Sequence, residues 1–367
     1  GRGKGHGTII KLDDTAKAGE AITPFLDPDG VMSLDITPDR GDVLSHFGLA
    51  RELKAALEHE LLEPNFLVPT YGANEVSPID IGEIHRDVSQ INFGAVRLTH
   101  SPAQAGTPLF IVSRLLLLGQ KPINLTTDVT NYLLLEFGQP LHAYDLDQLG
   151  HHPVLAVRRA HEGEKINGLD LKEYSLSPRS LVITNHDDPI ALAGILGNKT
   201  TMTTPETANI LLESAWFTPK AIDISARGLH VFTDSAIKFI RGVDPTLAPK
   251  MLSHAQALLI SLTDGLALPA QARINSLPEP VSTPINLDTM AKRIGMELDR
   301  HLAQIIFEGL GCRLTSHDAA IIITPPLWRF DLSLPEDYEE EIIRINGIDT
   351  IPRIQLPATV PVWKRSK

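Results

Sequence analysis

The spacing of apolar residues predicts a helix near the start of the chain. These residues recur at steps of four and three, which places them on one side of a helix: Val43, Phe47, Ala50, Leu53 and Leu57. Residues 37–42 form a turn that would cap this helix, and Pro64 follows its end. Val31 to Ile36 predicts a short strand. Residues 67–90 carry prolines and glycines without clear periodicity, which predicts a connection with short extended pieces.

From about Ile91 to Leu266, segments typical of strands and of helices alternate, and this predicts a mixed α/β domain. The strand candidates are Phe93 to Leu98, Val154 to Arg158, Leu181 to Thr184, Ile190 to Leu196 and Asn209 to Leu212. Asn167-Gly168 indicates a hairpin turn. Thr218-Pro219 and Asp244-Pro245 each predict the start of a helix, because a capping residue precedes a proline.

Three prolines, at positions 278, 280 and 284, indicate a linker before a smaller unit. Two helical patterns separated at residues 295–299 precede a strand pair that ends at Pro325-Pro326, an order typical of a winged helix. The chain as a whole is therefore expected to be an α+β multidomain protein. We divide it into an N-terminal region with a helical segment (1–66), a connection (67–90), the mixed domain (91–266), a linker (267–284), the winged-helix-like domain (285–353) and a tail (354–367).

The composition narrows the possible functions. With 367 residues, 43% of them hydrophobic, the chain can bury several cores, and its single cysteine, Cys312, rules out an internal disulfide. No signal peptide or membrane-length apolar stretch is evident, so we expect a soluble cytoplasmic protein without a membrane partner. A net charge of −12 argues against bulk binding of nucleic acid. DNA binding by the winged helix is thus not expected, and an interaction domain is favoured.

The segment from Asp128 to Asp145 has the features of a pocket wall. Thr130 and Asn131 offer hydroxyl and amide groups at one end. Pro140 contributes to a rigid bend, and His142 follows with a ring nitrogen that could face a ligand. The alternative is a buried helix, a turn and the start of a strand, with His142 hydrogen-bonded in the core.

Acidic residues gather near the end of the smaller unit. Ser333 to Glu336 reads as a capping box with proline in the first helical position, and Gly347 would close the helix. Three carboxylates of this helix fall on one face, a fourth lies just upstream, and such oxygen ligands suit Mg²⁺. They are Asp337, Glu340, Glu341 and Asp331. The alternative is a solvated acidic first turn favoured by the helix dipole.

Two further segments offer polar groups beside apolar ones. Glu213 ends an apolar run and precedes Trp216, so it is either a ligand-facing carboxylate or an ordinary strand-edge residue. Thr233, Asp234 and Ser235 bring two hydroxyls and a carboxylate together, although such residues are often helix caps. The histidines lack the spacing of a zinc site, and one cysteine cannot build a cysteine-rich one.

Taken together, several motifs in one order resemble the beta subunit of bacterial phenylalanyl-tRNA synthetase. The matching segments are Leu34 to Asp42, Gly48 to Leu53, Asp128 to Asp145, Ala193 to Gly197, Leu211 to Glu213, Thr233-Asp234, Arg241 to Pro245 and Pro326 to Asp331. The resemblance implies the B3/B4 editing domain followed by the B5 domain. It also implies a fragment or truncated subunit, because the family's further N-terminal and C-terminal domains have no counterpart in this sequence.

In this family the editing domain hydrolyses tyrosine wrongly attached to phenylalanine tRNA. A pocket built for phenylalanine cannot strongly reject the same ring with one added hydroxyl, so a second site selects that hydroxyl. By motif match, Glu213 would accept the phenolic proton with help from the backbone at Gly197, and Pro140 would shape the entrance. The residues expected to orient the ester and the attacking water are Thr130, Asn131, His142 and Thr233.

The resemblance also implies cofactors and partners. Asp331, Asp337, Glu340 and Glu341 match positions associated with a Mg²⁺ shared with the alpha subunit. ATP would be a substrate of the whole enzyme, an α2β2 tetramer that attaches phenylalanine to its tRNA. This chain alone would not carry out that attachment.

Three positions depart from the family pattern. Ser235 brings a hydroxyl where a methyl gates the pocket, Asn198 replaces a glycine, and Ile240 replaces a glutamate. These departures leave open a second hypothesis. In it the chain is a non-catalytic structural or tRNA-binding module that docks the alpha subunit, and its editing pocket has decayed.

Overall fold

The computed structural model describes residues 31–57, 59–72, 74–317 and 320–353. These residues form two compact units. The first takes in the described part of residues 1–52, 61–279 and 327–330, and the second that of residues 53–60, 280–326 and 331–367.

The first unit mixes strands and helices along the chain. Its helices are α1 (His46–Leu57, which runs into the second unit), α2 (Pro102–Ala105), α3 (Leu109–Leu117), α4 (Leu125–Phe137), α5 (Pro219–Leu229), α6 (Asp234–Arg241) and α7 (Leu247–Thr263). Its strands are β1 (Asp80–Ile84), β2 (Val88–Arg97), β3 (Leu141–Asp145), β4 (Val154–Arg159), β5 (Lys165–Asn167), β6 (Glu173–Ser175), β7 (Leu181–Asn185), β8 (Asp188–Leu192), β9 (Leu196–Gly197), β10 (Asn209–Phe217), β11 (Leu266–Ala267) and β12 (Gln271–Ile274).

Two sheets organise the first unit. Sheet A has the order β11-β2-β10-β3, with β12 also pairing β2, and its strands are antiparallel. Sheet B has the order β1-β4-β7-β8-β9, in which only the β1–β4 pair is parallel. One core cluster joins side chains of both sheets, and a second joins sheet A to α3, α4 and α7. Sheet A is therefore covered on both faces, which explains why β2 and β10 are buried along almost their whole length.

The second unit contains the two helices, the strand pair and the final helix predicted for it, in that order, and a short additional strand precedes them. Its elements are β13 (Thr283–Ile285), α8 (Leu287–Ile294), α9 (Arg300–Gly309), β14 (Arg313–His317), β15 (Ala320–Thr324) and α10 (Pro335–Asn346). The strands form an antiparallel sheet in the order β13-β15-β14. Phe307 and Tyr338 pack edge to face in its core, with ring centroids 5.7 Å apart. The prediction of an α+β multidomain fold with a small winged-helix-like unit is confirmed.

Three local predictions were wrong in detail. Residues 31–36 are irregular, and nearly all of them are exposed, so no apolar face is buried to favour a strand. The helix expected at Asp244-Pro245 begins at Leu247, because the Asp244 carboxylate accepts hydrogen bonds from the backbone amide and hydroxyl of Thr246 and forms a turn first. The strand expected over residues 190–196 is broken by a turn at Gly194, whose φ of +68° suits glycine.

Two other predictions hold with an adjustment. Asn167 and Gly168 do begin a hairpin between β5 and β6, but its loop covers residues 168–172 rather than two positions. The capping box of α10 is built by Asp337 rather than Glu336. Its carboxylate accepts from the backbone amides of Ser333 (2.8 Å) and Leu334 (2.7 Å), because Pro335 takes the first helical position and Asp337 the third. Among the described residues, no helix is long and apolar enough to cross a membrane.

Replacing Asp337 with alanine should destabilise the start of α10. The amides of Ser333 and Leu334 would lose their acceptor, and loss of such a cap costs about 1 kcal/mol. Hydrogen exchange at these two amides should therefore become faster. Glu340→Ala, on an exposed position of the same helix, is the matched control and should leave exchange unchanged. Equal exchange in both variants would contradict this account of the cap.

Candidate active site

Two adjoining cavities open at the end of sheet A where β3 begins. The larger has a volume of about 460 Å³ and lies against α4. The smaller lies between β3, β10 and sheet B. They share a wall, which is formed by Leu141, His142, Ile195, Leu196, Gly197 and Ser235.

The fold brings together all eight pocket residues proposed from the sequence. Thr130, Asn131 and Thr233 line the larger cavity. Pro140 and Glu213 line the smaller cavity. The remaining three, His142, Gly197 and Ser235, line both. These residues lie in or directly before α4, β3, β9, β10 and α6, and tertiary packing brings the separate segments together.

The segment from α4 to β3 is held in place at the start of α4 and at the turn between α4 and β3. Asn124 caps α4 by accepting from the amide of Thr127 at 3.0 Å. Gly138 ends α4 with φ +81°, a left-handed conformation that favours glycine. The next residue, Gln139, is fully buried and donates to the carbonyls of Pro140 (3.0 Å) and Ala215 (2.9 Å). The turn is thereby tied to β10, which fixes where β3 enters the cavity.

His142 is a buried imidazole with an unused nitrogen. Its Nε2 is buried and has no hydrogen-bond partner among the described residues. Burial lowers the pKa of His142 to about 4, so the ring is neutral at pH 7. Gly197 makes room for it, since a Cβ at that position would lie 2.5 Å from the ring. An orphaned polar atom in a cavity wall is a group that a ligand or water could satisfy.

Glu213 is a buried carboxylate directly across the strand pair from His142. The antiparallel register of β10 and β3 pairs these two residues, so their side chains share one face of sheet A. The phenol of Tyr144 donates to Glu213 Oε2 at 2.5 Å. Burial raises the pKa of Glu213 to about 7, and the Tyr144 hydrogen bond opposes that rise. Among the residues that line the smaller cavity, Glu213 is the only acidic or basic side chain besides neutral His142.

The hydroxyl and amide side chains of the cavities differ in whether they already form hydrogen bonds within the protein. Thr130 donates to the carbonyl of Thr127 at 2.9 Å. Thr233 donates to the carbonyl of Ile195 at 2.7 Å and caps α6, so its hydroxyl is largely committed to the fold. Among the described residues, Asn131 and Ser235 have no side-chain hydrogen bond. These two are the groups best able to bind a ligand without breaking a structural bond.

Two of the three departures from the family pattern lie outside the cavities. Asn198 donates to the carbonyl of Pro189 at 3.0 Å and accepts from the amide of Thr200 at 3.1 Å. Ile240 packs at the edge of the core between the sheets. Only Ser235 lines the cavities. The departures therefore affect the cavity lining at one position.

The four acidic residues proposed as magnesium ligands do not converge. Within the described ranges, no three Asp, Glu, His or Cys side chains lie close enough together to hold a metal ion. Asp337 caps α10, as its bonds to Ser333 and Leu334 show. Glu341 is buried and accepts from Arg344 Nη2 at 2.7 Å, while Glu340 is exposed. This arrangement of side chains does not fit a Mg²⁺ site, so the metal stays a prediction from the resemblance.

Comparison with known proteins identifies the relatives of this chain. Residues 92–264 match the model of the B3/4 domain, and residues 283–348 match that of the tRNA synthetase B5 domain. The phenylalanine–tRNA ligase beta subunit of Xanthomonas campestris is 35% identical over 355 residues, which is 94% of this chain. The chain belongs to the phenylalanine–tRNA ligase beta subunit family. It spans 43% of that Xanthomonas relative, less than half its length.

The beta subunits of two other organisms agree with this assignment. That of Halalkalibacterium halodurans is 34% identical and aligns with 94% of this chain and 43% of its own length. That of Yersinia pestis is 32% identical and aligns with 98% of this chain and 45% of its own length. A solved N-terminal fragment of the phenylalanyl-tRNA synthetase beta subunit from Pyrococcus horikoshii is 15% identical, with a TM-score of 0.39, over 84% of this chain and 85% of its own.

Sequence reasoning missed two residues of this site. Tyr144 lies inside the segment proposed as a pocket wall, and the two-residue period of a strand could have placed it on the same face as His142. Gln120 donates to Asp234 at 2.7 Å, and both line the larger cavity. No local pattern signals that contact, because it joins the loop after α3 to the start of α6.

The two buried titratable groups should behave differently in a pH titration. Carbon-13 NMR of labelled glutamate should show one carboxyl group that titrates near pH 7, and Glu213→Gln should remove it. The imidazole of His142 should stay neutral between pH 5 and pH 8. Since folding raises the pKa of Glu213, its contribution to stability is full below its ordinary value of 4.5 and is lost as the pH rises through about 7. A normal glutamate titration at position 213 would contradict the buried geometry.

Proposed function

We propose that this chain is the editing portion of a phenylalanine–tRNA ligase beta subunit, and that its cavities hydrolyse tyrosine esterified to phenylalanine tRNA. The observation that carries the proposal is the buried carboxylate of Glu213 in the wall of the smaller cavity, opposite the unpartnered nitrogen of His142. The other lining groups of the smaller cavity are apolar or uncharged. Such a lining suits an aromatic ring that carries one hydroxyl.

Discrimination would rest on that hydroxyl. A tyrosine phenol can donate to Glu213, whereas a phenylalanine ring would bury the carboxylate without satisfying it. Sites that use a buried polar group in this way separate substrates far better than apolar pockets do. Phenylalanine esters would therefore be spared, and tyrosine esters would be held for hydrolysis.

The larger cavity would hold the ester and the terminal nucleotide. Asn131 and Ser235 have free hydrogen-bonding capacity for the ribose or the ester carbonyl. Neutral His142 would orient the attacking water through Nε2, but a ring with a pKa near 4 is a weak base. Water adds to the ester carbonyl carbon, the bond to the ribose oxygen breaks, and tyrosine and the tRNA hydroxyl are released. We assign these side chains positioning roles and no dedicated general base.

Because the chain covers less than half of its relatives, the activity of the whole ligase is also a proposal. In it, this chain would assemble with an alpha subunit as an α2β2 tetramer, bind phenylalanine tRNA and act in the cytoplasm. Attachment of phenylalanine with ATP would need parts of the enzyme beyond these 367 residues.

Glu213→Gln should abolish most tyrosine release. Replacing the carboxylate removes a hydrogen bond to a charged group worth about 1.5–3 kcal/mol, so kcat/KM for tyrosyl-tRNA of the phenylalanine type should fall roughly ten- to hundredfold. The measurement is release of labelled tyrosine by the chain and by the assembled ligase that contains it. Glu206→Gln, at an exposed site outside both cavities, is the matched control.

Equal release by the two variants would remove Glu213 from the proposal. No release by the unmodified assembled ligase would favour the non-catalytic docking module. Ser235, the one departure that lines the cavities, supports that second candidate.

The chain without an alpha subunit should show no saturable binding of Mn²⁺, used as a stand-in for Mg²⁺. Asp337 and Glu341 are committed to backbone amides and to Arg344, so they cannot join Glu340 around one ion without breaking those bonds. Electron paramagnetic resonance of free Mn²⁺ would measure this. Saturable binding that is lost in Glu340→Gln would contradict the arrangement of these side chains.

A further inference from the structure

Tyr144 is a rigid hydrogen-bond donor beneath the smaller cavity. Its side chain is fully buried in the core between the two sheets, and its backbone pairs with Leu211 of β10. Its ring meets that of His142 edge to face, with centroids 4.5 Å apart and planes at 87°. Strand pairing and ring packing therefore fix the position of its hydroxyl. Burial and the neighbouring Glu213 also raise the pKa of Tyr144, which keeps the phenol protonated and able to donate.

Glu213, in contrast, is a long side chain that needs a support. A glutamate has three rotatable bonds, and its carboxylate can accept about four hydrogen bonds. Among the described residues, the phenol of Tyr144 is its hydrogen-bond partner, and the bond goes to Oε2 alone. The other oxygen, Oε1, is left for a donor from the cavity that Glu213 lines.

Of the titratable and charged side chains near Glu213, Tyr144 is the one that bonds to its carboxylate. From β3, the titratable neighbours are Tyr144 and neutral His142, and β2 presents Phe93 opposite Glu213. The charged side chains of α6 either have other partners or lie outside both cavities. Asp234 accepts from Gln120, Lys238 donates to the carbonyl of Leu44, and Arg241 lines neither cavity. Sheet B contributes only apolar side chains and Gly197 to the lining of the smaller cavity.

We propose that Tyr144 is a positioning residue for tyrosine selection: its phenol holds Glu213 by one carboxylate oxygen and turns the other oxygen toward the substrate hydroxyl. This inference rests on the proposed function. Two phenols would then share one carboxylate, one fixed in the protein and one brought by the substrate. An ionised carboxylate accepts O–H···O hydrogen bonds more strongly than a neutral carboxyl group does.

Tyr144 would also keep that carboxylate ionised in a buried site. Its hydrogen bond lowers the pKa of Glu213 against the larger, opposite effect of burial. Without the phenol, the pKa of Glu213 would move above about 7, and protonated Glu213 would accept the substrate hydroxyl less well. Tyrosine selection would then be lost at neutral pH and recovered in part as the pH rises.

The test is Tyr144→Phe, which keeps the ring and removes only the hydroxyl. Rates of hydrolysis of tyrosyl and phenylalanyl esters of the same tRNA would be measured in the assembled ligase from pH 6 to pH 9. We expect the preference for tyrosine to fall about tenfold at pH 7, which corresponds to about 1.4 kcal/mol, and its pH midpoint to move upward. Tyr132→Phe, on α4 and outside both cavities, is the matched control and should change neither.

A double-mutant cycle separates positioning from a general loss of structure. Adding Tyr144→Phe to Glu213→Gln should cause no further loss of preference, because the hydroxyl acts through the carboxylate. An unchanged or higher preference in Tyr144→Phe alone would overturn the proposal, since it would mean that Tyr144 competes with the substrate. Additive losses in the cycle would also overturn it.

Failure of the proposed function can be distinguished from failure of the role proposed for Tyr144. If the unmodified ligase released no tyrosine, editing would fail, yet the carboxyl titration of Glu213 would still test the support given by Tyr144. We expect the Glu213 midpoint to rise in Tyr144→Phe and to stay in place in Tyr132→Phe. An unchanged midpoint in Tyr144→Phe would overturn the role of Tyr144 by itself.

Discussion

The site depends on the antiparallel pairing of β3 with β10. This register sets His142 opposite Glu213 and places Tyr144 on the same face, two positions along β3. A slip by one residue would turn Glu213 away from His142 toward the helices on the other side of sheet A. Such a slip is costly because β10 is buried on both faces and pairs with β2 on its other edge. The geometry of the cavity is thus set by core packing.

Burial destabilises the charged form of Glu213 and also strengthens the hydrogen bonds that its carboxylate can make. A carboxylate removed from water loses hydration, which is why the pKa of Glu213 rises. The hydrogen bond from Tyr144 offsets part of that loss. A cation would offset more, but it would also occupy the carboxylate. With a phenol below it and a neutral imidazole beside it, Glu213 stays available to a hydroxyl group, and the low local polarity strengthens any bond it makes.

Sequence patterns predicted elements whose signals are local. The start of α5 at Pro219 and the break between α8 and α9 depend on residues within one or two turns, and both are confirmed, although the Thr218 side chain makes no capping hydrogen bond. The irregular segment at residues 31–36 was mistaken for a strand because alternation alone does not supply a neighbouring strand. The sequence predicts that Asp337 binds a metal and that Glu336 caps α10, whereas Asp337 is the capping residue. A carboxylate can do either, and the sequence pattern does not distinguish the two roles.

The same distinction between local and distant signals applies to the cavity. The wall from α4 to β3 could be proposed from one continuous segment, because Thr130, Asn131, Pro140 and His142 lie close together in the chain. For Glu213 the sequence pattern leaves a ligand-facing and a strand-edge role open, and only the resemblance to a family assigns it to the pocket, since it lies 69 residues from Tyr144 and meets it only through strand pairing. Tyr144 was passed over because tyrosine in a strand is an ordinary core residue, and only its partner makes it unusual.

The three departures from the family pattern differ in where they lie relative to the cavities. A decayed pocket would be expected to lose its shape or its selecting group, and the structure retains both Glu213 and the space that Gly197 leaves for His142. Asn198 satisfies two backbone groups, and Ile240 packs at the edge of a core, so both substitutions are compatible with an intact cavity. Ser235 adds one hydroxyl to the lining without removing a wall. A hydroxyl in that place alters which polar groups a ligand meets, and it leaves the support of Glu213 by Tyr144 untouched.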